Sequence, residues 1–308
     1  MMGAGPVDRK DGCMADGDAE TIRIGTARLT AEIALRGAEL VRLRDEAGRD
    51  LLWDGNPAFW SGRSPILFPI VGRLKDDRSS VDGASYPMRQ HGIARTAAFS
   101  PVETGADACR LRLTADEATR RAYPFDFTLD LDYRIEGATL TLAGTVRNAG
   151  AVAMPASFGF HPAFRRPLPY GADPADHVVT FAADEPEPIA AVEGGLLSER
   201  REPSPVRGRR LDLGPHLFDA DALVFLAPRS RSVHYGPPVG RGLRVDFPDM
   251  PQLGIWSKPG APFLCIEPWS GYASPVGFDG PLAEKPGMTI LAPGEARVFS
   301  MSVTLDAP

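Results

Sequence analysis

The chain of 308 residues is 43% hydrophobic and 24% charged, a composition that excludes wholesale disorder and supplies enough apolar material for a sizeable core. Its formal charge of -6 and pI near 5.5 oppose binding to phosphate backbones, which requires a concentrated basic face, so nucleic acid is not an expected partner. Nowhere do about 18 apolar residues run together, and no membrane-spanning helix is expected.

Residues 1–19 mix Gly, Asp, Lys and Ala without the apolar run of a signal peptide, and read as a disordered tail or an upstream start. The expected folded unit is 20–308, a single domain. Strands are predicted over 21–29, 40–44 and 109–113, then a short helix over 116–122 that stops before Pro124. From Phe127 through Leu129, Leu131, Tyr133 and Ile135 every second residue is apolar; Glu136-Gly137 punctuates, and Leu140, Leu142 and Val146 resume the alternation. That period of two predicts an antiparallel hairpin with one face buried. Further strands are predicted over 178–181, 243–247 and 263–266. Between them, the Pro- and Glu-rich stretch 184–205 reads as a long surface excursion, and Arg200-Arg201 and 207–210 as a solvated loop. Phe299, Met301, Val303 and Leu305 alternate with Ser300, Ser302 and Thr304 in a closing strand. With 32 glycines and 30 prolines spread along the chain, many turns joining short strands are expected, and the fold class is mainly all-β, a large antiparallel sandwich.

Cys13, Cys109 and Cys265 are odd in number, far apart and without Cys-x-x-Cys spacing. Neither a disulfide framework nor a zinc knuckle is indicated, and a reducing, cytoplasmic setting fits. No grouping along the sequence has metal-ligand spacing.

Few residues carry chemistry. His161 stands in Phe158-Gly-Phe-His-Pro-Ala-Phe164, held among aromatics at a strand end that Pro162 is expected to terminate. By itself such a ring is more often a hydrogen-bonded core histidine than a catalyst. His91 precedes Gly92 at a turn where glycine lets the backbone bend close to a ligand. His177, His216 and His234 have no accompanying carboxylate pattern. Glu267 follows the apolar run Phe263-Leu-Cys-Ile266 and precedes Pro268-Trp269. A glutamate buried there acquires a raised pKa, as a general base near pH 7 requires, unless a structural arginine pairs with it. Trp53, Trp60, Trp256 and Trp269 offer flat apolar faces on which a sugar's C–H patches could pack, or they simply fill the core.

Five stretches in order resemble the aldose 1-epimerase (galactose mutarotase-like) superfamily, in particular its shorter bacterial branch. They are Ser64-Pro-Ile-Leu-Phe-Pro-Ile-Val-Gly-Arg73, Gln90-His-Gly-Ile-Ala-Arg95, Phe158-Gly-Phe-His-Pro-Ala-Phe164, Leu217-Phe-Asp-Ala-Asp-Ala-Leu-Val-Phe225, and Gln252-Leu-Gly-Ile-Trp-Ser-Lys258 running into Cys265-Ile-Glu-Pro-Trp269. The resemblance implies a large β-sandwich with a concave face for one sugar. It implies His161 as the acid that protonates the ring oxygen and Glu267 as the base that takes the anomeric hydroxyl proton. His91 and Arg73 match substrate-orienting residues, with a sugar-gripping aspartate at Asp219 or, by preference, Asp221, and Trp256 as a further substrate contact. No cofactor and no metal are implied. The implied partner is an aldohexose, free or phosphorylated, bound by a monomer or homodimer that touches neither nucleic acid nor membrane. The familiar His-Pro-Tyr-Phe is His161-Pro-Ala-Phe164 here, which leaves the sugar open and keeps two alternatives alive. One is a hexose-6-phosphate 1-epimerase, whose phosphate Arg73, Arg95, Arg165 or Arg166 could meet. The other is a non-catalytic carbohydrate-binding or sensing protein on the same fold.

Overall fold

The computed structural model describes residues 20–171 and 173–307, and the tail expected over 1–19 lies outside them. Among the described residues two large antiparallel sheets face one another. One has nine strands, in the order Arg210–Asp212, Val178–Phe181, Ser232–Gly236, Leu243–Asp246, Ala296–Leu305, Thr139–Asn148, Phe127–Glu136, Ala108–Thr114 and Ser100–Thr104. The other has eight: Leu196–Glu202, Ile189–Glu193, Leu223–Phe225, Gln252–Trp256, Phe263–Ser270, Phe158–Phe160 and Ile66–Leu67, with Ala163–Arg165 also paired to Phe263–Ser270. The expected mainly-β sandwich is therefore found. No helix of the described residues is long and apolar enough to cross a membrane.

The alternating hairpin forms as its periodicity predicts. Phe127–Glu136 pairs with Thr139–Asn148 around a turn at Gly137, whose φ of 57° is left-handed. The closing strand Ala296–Leu305 does not sit at an edge. It bonds to Thr139–Asn148 on one side and Leu243–Asp246 on the other, so the last strand completes the middle of the sheet.

Other predicted elements change. The stretch 21–29 is a hairpin of Thr21–Gly25 and Leu29–Ala34, turned at Thr26, whose hydroxyl accepts the N–H groups of Arg28 and Leu29. The helix shortens to one turn, Glu117–Arg120, held by reciprocal bonds between Asp116 and Thr119. Much of 184–205 is not a loop: Ile189–Glu193 and Leu196–Glu202 form a hairpin through Gly194-Gly195 at the end of the eight-stranded sheet. Its outer strand buries only Leu197, so few apolar residues mark its period.

The two sheets lock together through aromatic insertion. Phe158 stacks on Phe299 of the opposite sheet, centroids 5.1 Å apart and planes 9° from parallel. A Cβ at Gly144 would stand 2.3 Å from the Phe158 ring, so glycine is what lets that ring seat. Gly144→Ala is expected to cost about 1–3 kcal/mol through overpacking, read as a lower midpoint in chemical denaturation with little change in slope.

Candidate active site

Period two on the strand Phe263–Ser270 separates core from chemistry. All eight residues are buried. Leu264 and Ile266 join the main core, whereas Phe263 and Cys265 belong to an aromatic cluster on the opposite face. Glu267 and Trp269 fall on that second face and line a cavity of about 560 Å³, within the roughly 300–1,000 Å³ range of small-molecule sites. Across the ladder Gly254 lies opposite Glu267 and Trp256 opposite Cys265. A side chain on Gly254 would meet the Trp269 ring at 2.4 Å, so glycine there makes room for the indole.

His161 reaches Glu267 through strand register. Phe158 pairs with Ser270 and Gly159 with Trp269, and beyond Pro162 the ladder resumes with Ala163 opposite Cys265. Continuing that register through the gap sets His161 opposite Glu267, with Nε2 3.2 Å from Oε2. Pro162 therefore interrupts the ladder without ending it. It lacks an N–H, but its carbonyl still accepts from the Ile266 N–H at 3.2 Å.

Burial dictates the charge state of this pair. Desolvation pushes His161 down to about 3, with its own carbonyl partly opposing and the Arg95 charge adding to the fall. Desolvation, followed by the negative charge of Asp221, holds Glu267 well above the ordinary carboxylate range. The Trp269 indole N–H counters part of that rise although it lies outside full hydrogen-bond geometry. Over a wide pH span the pair therefore shares one proton and carries no net charge, as a dry site demands. Trp60 stacks on the His161 ring with centroids 5.0 Å apart and 28° between planes, while Trp256 meets it edge-on. An imidazolium at His161 would thus form over an indole face, worth about 0.5–2 kcal/mol.

Around the pair, His91 lies edge-to-face with His161 at 5.5 Å. Its Nδ1 accepts the Gly72 N–H at 3.2 Å, which leaves Nε2 as the nitrogen that carries the proton. Burial, then the His161 and Arg95 charges, hold His91 neutral well below its usual pKa. The backbone here is strained: His91 has φ 66°, and a Cβ on Gly92 would come within 2.2 Å of the Phe68 carbonyl oxygen.

Asp219 and Asp221 both line the cavity. Asp219 bonds His216 at 2.8 Å near the surface, whereas Asp221, at φ 107°, is the one whose charge reaches Glu267. Of the tryptophans, Trp60, Trp256 and Trp269 line the cavity; Trp53 is buried behind, donating its N–H to the Trp60 carbonyl. Arg73 is not among the residues that line the cavity. Its guanidinium is bonded twice to Asp77 at 2.7 Å and reaches the Gly194 carbonyl at 3.3 Å. Arg95 lines the cavity instead, with no hydrogen bond or ion pair to the described residues. Arg166 is spent on the Leu213 and Pro174 carbonyls. Trp60, Trp269 and Arg95 complete the wall. Arg95 and Trp269 stand in the family-like stretches and Trp60 four residues before the first of them, but only the fold separates them from Trp53 and Arg73.

Removing the Asp221 charge lowers the Glu267 pKa. In Asp221→Asn the infrared carbonyl band of protonated Glu267, identified by its loss in Glu267→Gln, is expected to vanish at lower pH than in the parent. An unshifted band would remove Asp221 as the cause.

The chain matches the family model described as Aldose 1-epimerase over residues 20–304. It is 31% identical over 296 residues to the plasmid-borne protein LacX of Lactococcus lactis subsp. lactis, covering 92% of this chain and 99% of the relative. Among solved structures it is similar to a galactose mutarotase related enzyme from Lactobacillus acidophilus, at TM-score 0.88 and 29% identity, covering 94% of this chain and 98% of the other. A galactose mutarotase-like protein from Lactobacillus casei gives TM-score 0.87 and 28% identity over 93% and 100% of the two chains. With this fold, this order of motifs and a match over nearly all of the described chain, the protein belongs to the aldose 1-epimerase family.

Proposed function

We propose that this protein is an aldose 1-epimerase that interconverts the α and β anomers of an aldohexose by acid–base ring opening and closure, with His161 and Glu267 as the catalytic pair. The observation that carries the reading is the buried contact of 3.2 Å between them on the wall of a tryptophan-lined cavity. A hemiacetal opens when the anomeric hydroxyl loses a proton and the ring oxygen gains one. Both oxygens are borne by the same carbon, so an acid and a base standing side by side can serve them together.

In the reactive form the shared proton sits on His161. Glu267 carboxylate takes the proton from O1 as His161 delivers its own to the ring oxygen, and the ring opens to the aldehyde. The aldehyde carbon turns about its bond to C2. Closure on the other face returns the ring-oxygen proton to His161 and gives the Glu267 proton to O1, so the pair ends as it began. Trp60 stabilises the imidazolium that this cycle requires. The Nε2–H of His91, the Asp221 carboxylate and Arg95 are suited to hold sugar hydroxyls. We take residues 20–308 as one unit, since the main core draws on residues from Ile24 to Leu305, and the buried free thiols Cys109 and Cys265 fit a reducing cytoplasm.

A second reading is favoured by the uncommitted guanidinium of Arg95: the sugar could carry a phosphate, which a planar guanidinium binds bidentately. Comparing anomer exchange of glucose and glucose 6-phosphate by NMR, with Arg95→Gln beside the parent, separates the two. A phosphate substrate predicts that Arg95→Gln raises KM for the phosphorylated sugar alone.

For the reaction itself, Glu267→Gln is expected to lose about 10²–10⁴-fold in rate while the fold persists. Parental rates in that variant, or no acceleration of any common aldose by the parent, would remove the reading. Activity needs the one-proton state of the pair. It is therefore expected to stay flat from about pH 4 through neutrality, to fall below that as His161 and Glu267 are both protonated, and to fall at high pH as Glu267 ionises.

A further inference from the structure

Cys265 takes no part in the proposed proton transfer, yet it is a fully buried free thiol on the cavity face of its strand, two residues before Glu267. One ligand atom from each of His161, Cys265 and Glu267 lies within 4.8 Å of the other two. We infer that these three residues form a site for a zinc-like divalent cation, entered from the sugar cavity, whose occupation switches the catalytic pair off.

The donor set selects the ion. One imidazole nitrogen, one sulfur and one carboxylate oxygen suit zinc, cobalt(II) or cadmium, whereas magnesium and calcium demand shells of oxygen. Tetrahedral zinc holds nitrogen and oxygen at about 2.0–2.2 Å and sulfur at about 2.3 Å, which separates neighbouring ligand atoms by about 3.3–3.6 Å. The His161 to Glu267 distance of 3.2 Å already matches such an edge. The thiol has at most about 1.5 Å to close, a side-chain adjustment. Because His161 and Glu267 line the cavity, a water or a sugar hydroxyl within it would complete the shell.

Charge balance also fits. A doubly charged cation displaces one proton from the Cys265 thiol and one from the Glu267 carboxyl and binds neutral His161, so two protons leave and the dry pocket gains no net charge. The His161 Nδ1 has no hydrogen-bond partner. A zinc-bound histidine that is part of a permanent centre normally donates that hydrogen to a carboxylate or carbonyl, so this site is of the reversible kind, an inhibitory stop rather than a resident cofactor. Spacing along the chain hides it: His161 lies more than a hundred residues from its two companions, and only the strand register unites them.

The test is a titration of the untagged full chain with cobalt(II) in the absence of sugar, in a Cys13→Ser background so that this thiol cannot contribute. A thiolate-to-cobalt band in the near ultraviolet with strong four-coordinate d–d bands, displaced by zinc, is expected. Cys265→Ala should abolish the thiolate band and weaken zinc at least ten-fold, and His161→Gln should weaken it similarly; Cys265→Val serves if the alanine variant does not fold. No thiolate band at saturating cobalt, or zinc affinity unchanged in the Cys265 variants, overturns the site. Because binding is read without sugar, its failure leaves the epimerase reading standing, and an inactive chain could still show the site. Where anomer exchange is measurable, zinc should abolish it and a chelator restore it; full exchange with zinc bound would overturn the switch.

Discussion

An imidazole and a carboxyl 3.2 Å apart cannot be held out of water unless the strand that carries the carboxyl is covered on both faces. Phe263–Ser270 meets that demand in an unusual way for an antiparallel sheet, with every residue buried. Its even-numbered residues Leu264 and Ile266 join the main core, while on the other face Phe263 and Cys265 pack among tryptophans and Glu267 and Trp269 line the cavity. Two separate charges there would cost several kcal/mol each; a shared proton removes most of that cost and leaves a pair poised to move it.

The walls around the pair are held mainly through backbone. Buried Lys285 donates to the Tyr272 and Pro286 carbonyls at 2.6 and 3.1 Å, pinning the turn that follows Trp269, and its burial lowers its pKa to about 8. Gln252 accepts the Gly271 N–H at 2.9 Å, and Gly72 sits so tightly on Ala273 that a Cβ would meet it at 2.5 Å. The same Gly72 donates to His91. Arg73, bonded to Asp77 and reaching Gly194, braces the hairpin turn that closes one side of the cavity. A site built this way keeps the acid, the base and His91 in fixed relation before any sugar arrives.

Legibility followed exposure. The hairpin Phe127–Glu136 and Thr139–Asn148 could be read because one face is wet, so its polar residues mark the period as clearly as its apolar ones. The hairpin within 184–205 could not: its outer strand buries only Leu197, and no apolar alternation distinguishes it from a loop. Pro162 looked like a terminus because its missing N–H is visible in sequence, whereas the register that survives it is a property of the partner strand.

The amino-acid sequence by itself determined the fold class, the order of the motifs and the candidacy of His161, His91 and Glu267, because periodicity and local residue context are written along one dimension. Which arginine reaches the cavity, which tryptophans face a ligand and which stay in the core, and that His161, Cys265 and Glu267 share one pocket were decided by tertiary structure alone. Strand register couples residues a hundred positions apart, and no local pattern records which partner a side chain meets across a sheet.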